Sequence, residues 1–353
     1  MSFIEITDII NKVYNDKKTT PIGNKTKRFL FENGEKLSKS EKSKLYSPIL
    51  GKERREKTIS KIVEIIKNWD FNKTTSFQYK LEKKSYLVIL IIFFTLIIKI
   101  FLMPYFTYSL DNLSHIIPGA MCAAGVIKAN NYGEILLALK LIIVFCIGVW
   151  LIINSLDLKE KTYPYTKKKF VFYIFIFALI LIETTLDILY LSNISTKEPV
   201  MCCSVIFGVN SIGNKIPFDL SIPMLVGLFY LLYLLSIFTN IQKQKFTNFI
   251  VNLFFLYIAY YAVTYFFSTY IYQLPTHQCP FCMLQKEYFF VGYFIWSTLF
   301  LGTFFAISSF VVPKFTNKNL DNSFKYSILF NSIFVFLCSF YLIKYYFVNG
   351  VFL

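Results

Sequence analysis

The sequence THQCPFCMLQK, residues 276–286, places two cysteines and a histidine between two long apolar runs. Cys279 and Cys282 form a Cys-x-x-Cys pair, and His277 lies two residues before it. The i, i+3 spacing allows the two sulfur atoms to form a disulfide or to ligate one metal ion. The apolar run that begins at residue 288 predicts a helix, whose N-terminal end would stabilise a thiolate. The segment therefore predicts either thiol–disulfide exchange or soft-metal binding.

Two other polar segments carry cysteines. Cys122 lies in SHIIPGAMCAAGV, seven residues after His115, and Cys202 and Cys203 are adjacent in PVMCCSV. Cysteine and histidine, with the neighbouring methionines, are the ligands expected for Cu(I). The same cysteines could instead form a second redox pair, because thiol exchange needs only the approach of a thiolate to a sulfur. A third possibility is that disulfides cross-link these three segments and have only a structural role. Because the segments contain five cysteines, at least one cysteine would then remain outside any disulfide.

The composition indicates the elements that position these residues. Hydrophobic residues make up 55% of the 353 residues and charged residues only 16%, which is typical of a polytopic membrane protein. A membrane-spanning helix needs about 20 apolar residues. The sequence predicts an all-α fold of about seven such helices, at residues 85–106, 135–156, 170–192, 220–240, 248–270, 288–312 and 326–348. Cys146 and Cys338 fall inside the second and seventh runs, where inert packing is expected.

The distribution of cations predicts the orientation of these helices. Residues 1–84 and the loops 157–169, 241–247 and 313–325 carry 30 Lys and Arg, whereas the loops 107–134, 193–219 and 271–287 carry four. Because positive residues accumulate on the cytoplasmic side, we expect a cytoplasmic N-terminus and an external C-terminus. The three cysteine-bearing loops would then face the periplasm or the exterior. This bias accounts for the net charge of +16, so no nucleic-acid partner is needed to explain it.

Two domains are predicted, a basic cytoplasmic arm at 1–84 and a transmembrane domain at 85–353. The stretches FIEITDIINKVY and ISKIVEIIKNW each place isoleucines on one helical face. These two amphipathic helices could pack together, lie on the membrane, or bind a cytoplasmic partner.

Four ionisable residues interrupt the first three apolar runs at similar depth. Such groups are costly in lipid, so they are expected to face the bundle interior and to form ion pairs there or to line a proton path or polar pocket. They are Lys99, Lys140, Glu183 and Asp187.

The segment CPFCMLQK resembles the Cys-Pro-x-Cys-x-x-Gln-Arg element of the DsbB membrane thiol oxidases, which are related in architecture to vitamin K epoxide reductases. The resemblance covers eight residues and implies that Cys279 and Cys282 pass electrons from periplasmic thiols to a membrane quinone. It also implies that Gln285 and Lys286 lie by the quinone, with Lys286 in place of the family's arginine. In that family a second cysteine pair follows the first, whereas here the candidates Cys122, Cys202 and Cys203 precede it.

Together these features predict an inner-membrane, multi-pass protein with DsbB-like thiol–disulfide chemistry, in which Cys122 with Cys202 or Cys203 acts as the relay pair. The expected partners are membrane lipid, a quinone and a periplasmic thiol protein. The alternative is a membrane factor that binds Cu(I) and delivers it to an exported metalloenzyme, with a copper protein as partner. Its ligands would be drawn from His115, Cys122, Cys202, Cys203, His277, Cys279 and Cys282. The third hypothesis is a structural membrane subunit whose loops are cross-linked by disulfides.

Overall fold

The computed structural model of the protein describes residues 62–66, 68–70, 75–160, 162–195, 199–200, 216 and 219–353. The first amphipathic stretch, Cys202 and Cys203 lie outside these residues. Part of the second amphipathic stretch is described, and it is helical at residues 62–66, with Ile62, Ile65 and Trp69 buried.

Seven helices in the described part of the chain are long and apolar enough to cross a membrane. They are α1 (Ser76–Ser114), α2 (Gly133–Leu158), α3 (Thr166–Ser192), α4 (Ile222–Ile241), α5 (Lys245–Tyr272), α6 (Val291–Thr316) and α7 (Asp321–Asn349). No strand occurs among the described residues. The prediction of an all-α polytopic membrane protein with seven spans is therefore confirmed, and such a chain associates with lipid.

The chain divides into two compact units. One contains the described residues up to Lys99 together with Asp157–Val171, and the other contains Ile100–Leu156 and Phe172–Leu353. In the first unit the Asp157 carboxylate accepts hydrogen bonds from the Tyr165 N–H (2.7 Å) and the Thr166 hydroxyl (2.9 Å). It also pairs with the fully buried Lys169 at 2.6 Å. A buried cation at the start of α3 is thus neutralised locally.

In the second unit, α4, α5, α6 and α7 form a four-helix group in which α4 contacts α5 and α7, and α6 contacts α5 and α7. Four fully buried phenylalanines fill its interior: Phe229, Phe255, Phe267 and Phe334. The Phe229 ring centroid lies 5.1 to 5.9 Å from those of the other three. Edge and tilted contacts of this kind are the favoured arrangements of aromatic rings.

A buried polar network lies in the same group, on helices α4, α5 and α7. The Asn252 Nδ2 group donates to the Asn248 side-chain oxygen at 2.7 Å, and the Asn252 oxygen accepts from Asn331 Nδ2 at 2.9 Å and from the Ser236 hydroxyl at 3.0 Å. Asn240 Nδ2 donates to the Ser236 carbonyl at 2.7 Å. We call Ser236, Asn240, Asn248, Asn252 and Asn331 the asparagine cluster. All five side chains are at most 1% exposed, so their mutual hydrogen bonds replace the water that the membrane excludes.

Candidate thiol centre

Three cysteines from distant parts of the sequence meet in the second unit. The Cys122 and Cys279 sulfur atoms lie 3.6 Å apart although 157 residues separate them. With the Cys282 sulfur they form a set in which all ligand atoms lie within 4.8 Å of one another. Cys122, Cys279 and Cys282 are 0%, 1% and 4% exposed. We call these three residues the thiol centre.

Cys122 is held by the loop that precedes a short helix, Ala123–Ile127. The fully buried Tyr190, near the end of α3, donates its hydroxyl to the Val126 carbonyl at 2.8 Å and so fixes this short helix. On the other side, the Val200 N–H donates to the Pro118 carbonyl at 2.9 Å. Gly119 has φ +79, and a Cβ there would lie 2.5 Å from the Val200 oxygen, so glycine permits this close approach.

Cys279 and Cys282 do not stand at the start of a membrane helix. α6 begins only at Val291, and the intervening residues form two single turns of 3₁₀ helix, Cys282–Leu284 and Lys286–Tyr288. Phe289 and Phe290 have φ of 54 and 55, in the left-handed region, which interrupts the helix that their apolar side chains predicted. The prediction that the α6 N-terminus stabilises a thiolate is therefore wrong.

Two aromatic side chains hold the Cys-x-x-Cys loop through its backbone. The Tyr272 hydroxyl donates to the Cys279 carbonyl and accepts from the Met283 N–H at 2.9 Å. The indole N–H of Trp296, on α6, donates to the Pro280 carbonyl at 3.0 Å. Tyr272 is the last residue of α5, beyond a π-helical segment at Val263–Phe267. Neither residue could be predicted from the sequence, because no motif marks an aromatic hydroxyl or indole that bonds a distant backbone group.

Gln285 joins the two cysteine-bearing loops. Its side-chain amide donates to Asp111 Oδ1 at 3.0 Å and to the Met121 carbonyl at 3.1 Å. Lys286 is exposed. The motif's glutamine therefore has a hydrogen-bond partner on the Cys122 loop, whereas the lysine is exposed.

The two histidines differ in their surroundings. His277 is 9% exposed, its ring lies 4.3 Å from that of Tyr272, and its Nε2 atom is buried without a hydrogen-bond partner. His115 is exposed. Within the described residues, neither belongs to the set of ligand atoms within 4.8 Å formed by the three cysteines. The structure thus gathers three of the seven predicted ligands, and Cys202 and Cys203 are not among the described residues.

A cavity of about 220 Å³ lies beside the Cys-x-x-Cys loop. It is lined by Tyr270, Glu287, Tyr288, Tyr341, Lys344 and Tyr345, among others. The ring of Tyr288, which lines the cavity, lies 4.7 Å from the ring of Tyr272, whose hydroxyl bonds the loop backbone. Burial raises the pKa of Tyr288, and negative charge on Cys282 raises it further. Tyr288 therefore remains a protonated hydrogen-bond donor at neutral pH.

Three of the four ionisable residues in the apolar runs form one cluster, in which Lys140 and Glu183 are buried and Asp187 is half-buried. Lys140 Nζ lies 2.6 Å from Glu183 Oε1 and 2.9 Å from Asp187 Oδ2. It also lies 4.4 Å from the centroid of the Phe106 ring. Lys140 on α2 thus forms ion pairs with both acidic residues of α3, which is one of the two arrangements expected for these groups. Lys99 belongs to the other compact unit and is half-buried.

The remaining two cysteines lie in membrane helices. Cys338 is fully buried in the apolar interior that includes Phe334, and Cys146 is half-buried on α2. Their positions agree with the predicted packing role.

No protein-family model, curated protein or solved structure matches this chain. The assignment of function therefore depends on the chemistry of the thiol centre and on the short motif that contains Cys279 and Cys282.

Proposed function

We propose that the protein is a membrane thiol–disulfide redox protein that oxidises thiols outside the cytoplasm and passes their electrons to a membrane quinone. The contact between the Cys122 and Cys279 sulfur atoms, 3.6 Å apart, carries the proposal. A disulfide needs an S–S distance of about 2.05 Å and a Cβ separation of about 3.5–4.5 Å. A small side-chain movement would suffice to reach that bond.

The three thiols allow a disulfide to move within the centre. With Cys279 and Cys282 oxidised, a substrate thiolate attacks one sulfur and forms a mixed disulfide, and a second substrate thiolate displaces it. The substrate leaves as a disulfide and the pair is left as two thiols. Attack by Cys122 on the Cys279 sulfur of a Cys279–Cys282 disulfide would instead give a Cys122–Cys279 disulfide and release Cys282 as a thiolate. Reoxidation delivers two electrons and two protons to the quinone, which becomes a quinol.

Other features of the second unit support this chemistry. The motif lies in the connection between α5 and α6, within the group of four helices formed by α4 to α7. Four helices are the core that the resemblance to DsbB implies. The aromatic cavity beside the loop is large enough to admit a quinone ring, and Tyr288 and Lys344 offer it hydrogen-bond donors. Cys202 and Cys203 follow Val200, which bonds the Cys122 loop, so their participation as relay thiols stays a prediction.

The periplasmic location of the centre is part of this proposal and rests on the distribution of Lys and Arg. Two fusions test it: alkaline phosphatase, which is active only outside the cytoplasm, joined after Leu353 or in the loop 241–247. Activity of the first fusion alone supports the proposed orientation, and activity of the second alone reverses it.

Quinone reduction by purified protein tests the redox proposal. With a reduced dithiol peptide and a soluble quinone analogue, we expect turnover that falls by at least ~100-fold in Cys279→Ser or Cys282→Ser, since the covalent step is lost. Cys146→Ser is the matched control and should retain wild-type turnover. With the quinone analogue as the two-electron oxidant, a monothiol peptide should be trapped as a mixed disulfide with Cys279→Ala or Cys282→Ala, and the quinone should be reduced to the quinol. Full activity in both serine variants contradicts the proposal.

A second candidate function is binding and delivery of Cu(I). The observation that favours it is the set of three sulfur atoms within 4.8 Å of one another, near a buried His277 Nε2 that has no partner and beside the fully buried Met283. Metal–sulfur bonds of about 2.3 Å place ligand sulfur atoms at comparable separations. Anaerobic titration with Cu(I) against a competing chelator tests this function. It predicts one bound ion, lost in Cys122→Ser, in a protein that does not reduce quinone.

A further inference from the structure

The sulfur atoms of the thiol centre are buried. Cys122, Cys279 and Cys282 are 0%, 1% and 4% exposed and belong to the apolar interior that also contains Met283. Thiol exchange requires a substrate thiolate to approach a sulfur atom, and the thiol of another protein does not reach a sulfur that is almost fully covered. The proposed redox function therefore requires the thiol centre to open, and the surrounding contacts indicate where it does so.

The segment Gln285–Tyr288 lies over one side of the thiol centre. Lys286 and Glu287 are exposed. Tyr288 lines the cavity of about 220 Å³, and its hydroxyl is within electrostatic reach of Cys282. The segment thus has solvent and the cavity on one side and the Cys282 thiol on the other. We call Gln285–Tyr288 the lid.

Gln285 fastens the lid to the Cys122 loop. Its side-chain amide donates to Asp111 Oδ1 at 3.0 Å and to the Met121 carbonyl at 3.1 Å. Gln285 and Asp111 are half-buried and Met121 is exposed, so water can replace these two bonds when the lid moves. Because water competes for such bonds, their net contribution to the closed state is modest. The Gln285 contacts therefore suit a latch that opens reversibly.

The lid joins α6 through a strained pair of residues. Phe289 and Phe290 have φ of 54 and 55, in a region that bulky L-residues rarely adopt. Residues held in such conformations cluster at switch regions, where the surrounding structure supplies the constraint. The Phe289 side chain is 89% exposed, so little packing opposes a change in its backbone angles. Hinges are residues at the ends of elements that absorb such changes, and this pair has that position between the lid and α6.

We propose that the lid swings about the Phe289–Phe290 pair when the Gln285 bonds break, and that the open lid connects the cavity to the Cys282 sulfur. This inference deepens the proposed redox function and rests on it, because the substrate thiolate that attacks the Cys279–Cys282 disulfide would enter through this opening. Gln285 is then a positioning residue that controls access, and this role is distinct from the quinone contact that the resemblance to DsbB implies.

Alkylation of the reduced full-length protein with N-ethylmaleimide measures opening of the lid. The rate at Cys282 is followed by peptide mass spectrometry, and Cys338 reports global unfolding because it is fully buried in α7. We expect slow modification of Cys282 in the wild type. The rate should be roughly 10-fold faster in Gln285→Leu, which loses both latch bonds, one of them to a carboxylate. Gln244→Leu, at an exposed glutamine between α4 and α5, is the matched control and should react like the wild type.

Two substitutions at one exposed position test the hinge. Asparagine adopts the left-handed region more readily than phenylalanine, and valine strongly avoids it. Phe289→Asn should therefore stabilise the closed lid and slow the alkylation of Cys282, whereas Phe289→Val should speed it. The rates of the two variants should differ several-fold and lie on opposite sides of the wild-type rate.

The outcomes separate the lid from global unfolding and from the redox function. An unchanged rate at Cys282 in Gln285→Leu, or equal rates in the two Phe289 variants, overturns the proposal. Modification of Cys338 as fast as that of Cys282 also overturns it, because exposure would then require unfolding of the helices. Alkylation needs neither a quinone nor a dithiol substrate. Faster alkylation of Gln285→Leu in a protein that does not reduce quinone would therefore support the lid and contradict the redox function.

Discussion

The second compact unit contains two buried clusters of non-ionic polar side chains, and they are held together in opposite ways. In the asparagine cluster the side chains form hydrogen bonds with one another. The Asn252 side chain, for example, bonds the side chains of Ser236, Asn248 and Asn331. In the thiol centre, sulfur is a weak hydrogen-bonding atom, and hydrogen bonds from Tyr272 and Trp296 to the loop backbone hold the loop in place.

This difference separates a structural role from a reactive one. Hydrogen bonds between amide side chains lower the cost of polar groups in a membrane and fix the packing of helices. In this cluster they leave only Asn240 Oδ1, Asn248 Nδ2 and Asn331 Oδ1 without a partner among the amide atoms. In the thiol centre, hydrogen bonds to the loop backbone hold three sulfur atoms within 4.8 Å of one another, a spacing that suits disulfide exchange or metal ligation. Mutations should therefore affect stability in one cluster and chemistry in the other.

The largest expected effect on stability is that of Asn252→Leu. The substitution removes the acceptor of the Ser236 hydroxyl, which costs about 1–3 kcal/mol for a buried donor left unsatisfied. It also removes one of two hydrogen bonds from Asn331 Nδ2 and from Asn248 Oδ1, each worth about 0.5–1.5 kcal/mol. We expect a decrease of roughly 3 kcal/mol or more in the free energy of unfolding, measured by thermal or denaturant unfolding in detergent. Asn349→Leu, at an exposed end of α7, is the control and should change little. An Asn252→Leu protein as stable as the wild type would contradict the structural role assigned to the asparagine cluster.

Gly302→Ala should be the next most destabilising change. A Cβ at Gly302, on α6, would overlap the Asn331 side-chain oxygen and crowd the Asn331 backbone. Overpacking of this kind costs about 1–3 kcal/mol. The matched control is Gly227→Ala on α4, where no atom lies within 4 Å of the added methyl group. That variant should be as stable as the wild type or up to about 1 kcal/mol more stable, because alanine favours a helix. Equal melting temperatures for the two variants would show that α6 and α7 do not approach as described.

Tyr272→Phe should have a smaller effect on stability and a specific effect on the thiols. The variant keeps the ring and removes two hydrogen bonds to the loop, a loss of about 1–2 kcal/mol. Because the loop then holds Cys279 less firmly, we expect a lower yield of the Cys122–Cys279 disulfide under mild oxidation, quantified by mass spectrometry of non-reduced peptides. Tyr79→Phe, on the exposed face of α1, is the control. An unchanged disulfide yield would show that the hydrogen bonds between Tyr272 and the loop backbone do not position the Cys279 sulfur.

The smallest change is expected for Lys286→Gln. Lys286 and Lys344 are both exposed, but of the two only Lys344 lines the aromatic cavity beside the loop. We therefore expect Lys344→Gln to raise the KM for quinone several-fold, roughly the loss of one charge-assisted hydrogen bond, and Lys286→Gln to leave it unchanged. Steady-state quinone reduction measures both. The reverse order would favour the role that the resemblance to DsbB implies for Lys286.

The sequence predicted the seven spans because each is a run of about 20 apolar residues, a length that the bilayer imposes. It predicted the start of α6 too early, since Phe289 and Phe290 are apolar but have left-handed backbone conformations. Residues Asn248 and Asn252 share a helix face inside an apolar run, which could have indicated the asparagine cluster.

The thiol centre could be predicted only in part. Cys122, Cys279 and Cys282 were recognised because cysteines are rare and fall in alternate loops, whereas His115 lies apart from them and is exposed. The contacts of Tyr272 and Trp296 depend on how α5 and α6 end and begin relative to the loop, and no local pattern specifies those contacts.

Disulfide mapping in the variant Cys202→Ser/Cys203→Ser/Cys282→Ser tests most directly whether Cys122 and Cys279 form one centre. In this background only Cys122 and Cys279 remain of the cysteines in the loops. We predict that oxidation with a quinone analogue gives a peptide in which Cys122 and Cys279 are linked, with Cys146 and Cys338 unmodified. Recovery of both residues as separately alkylated thiols after oxidation of folded protein would contradict the account.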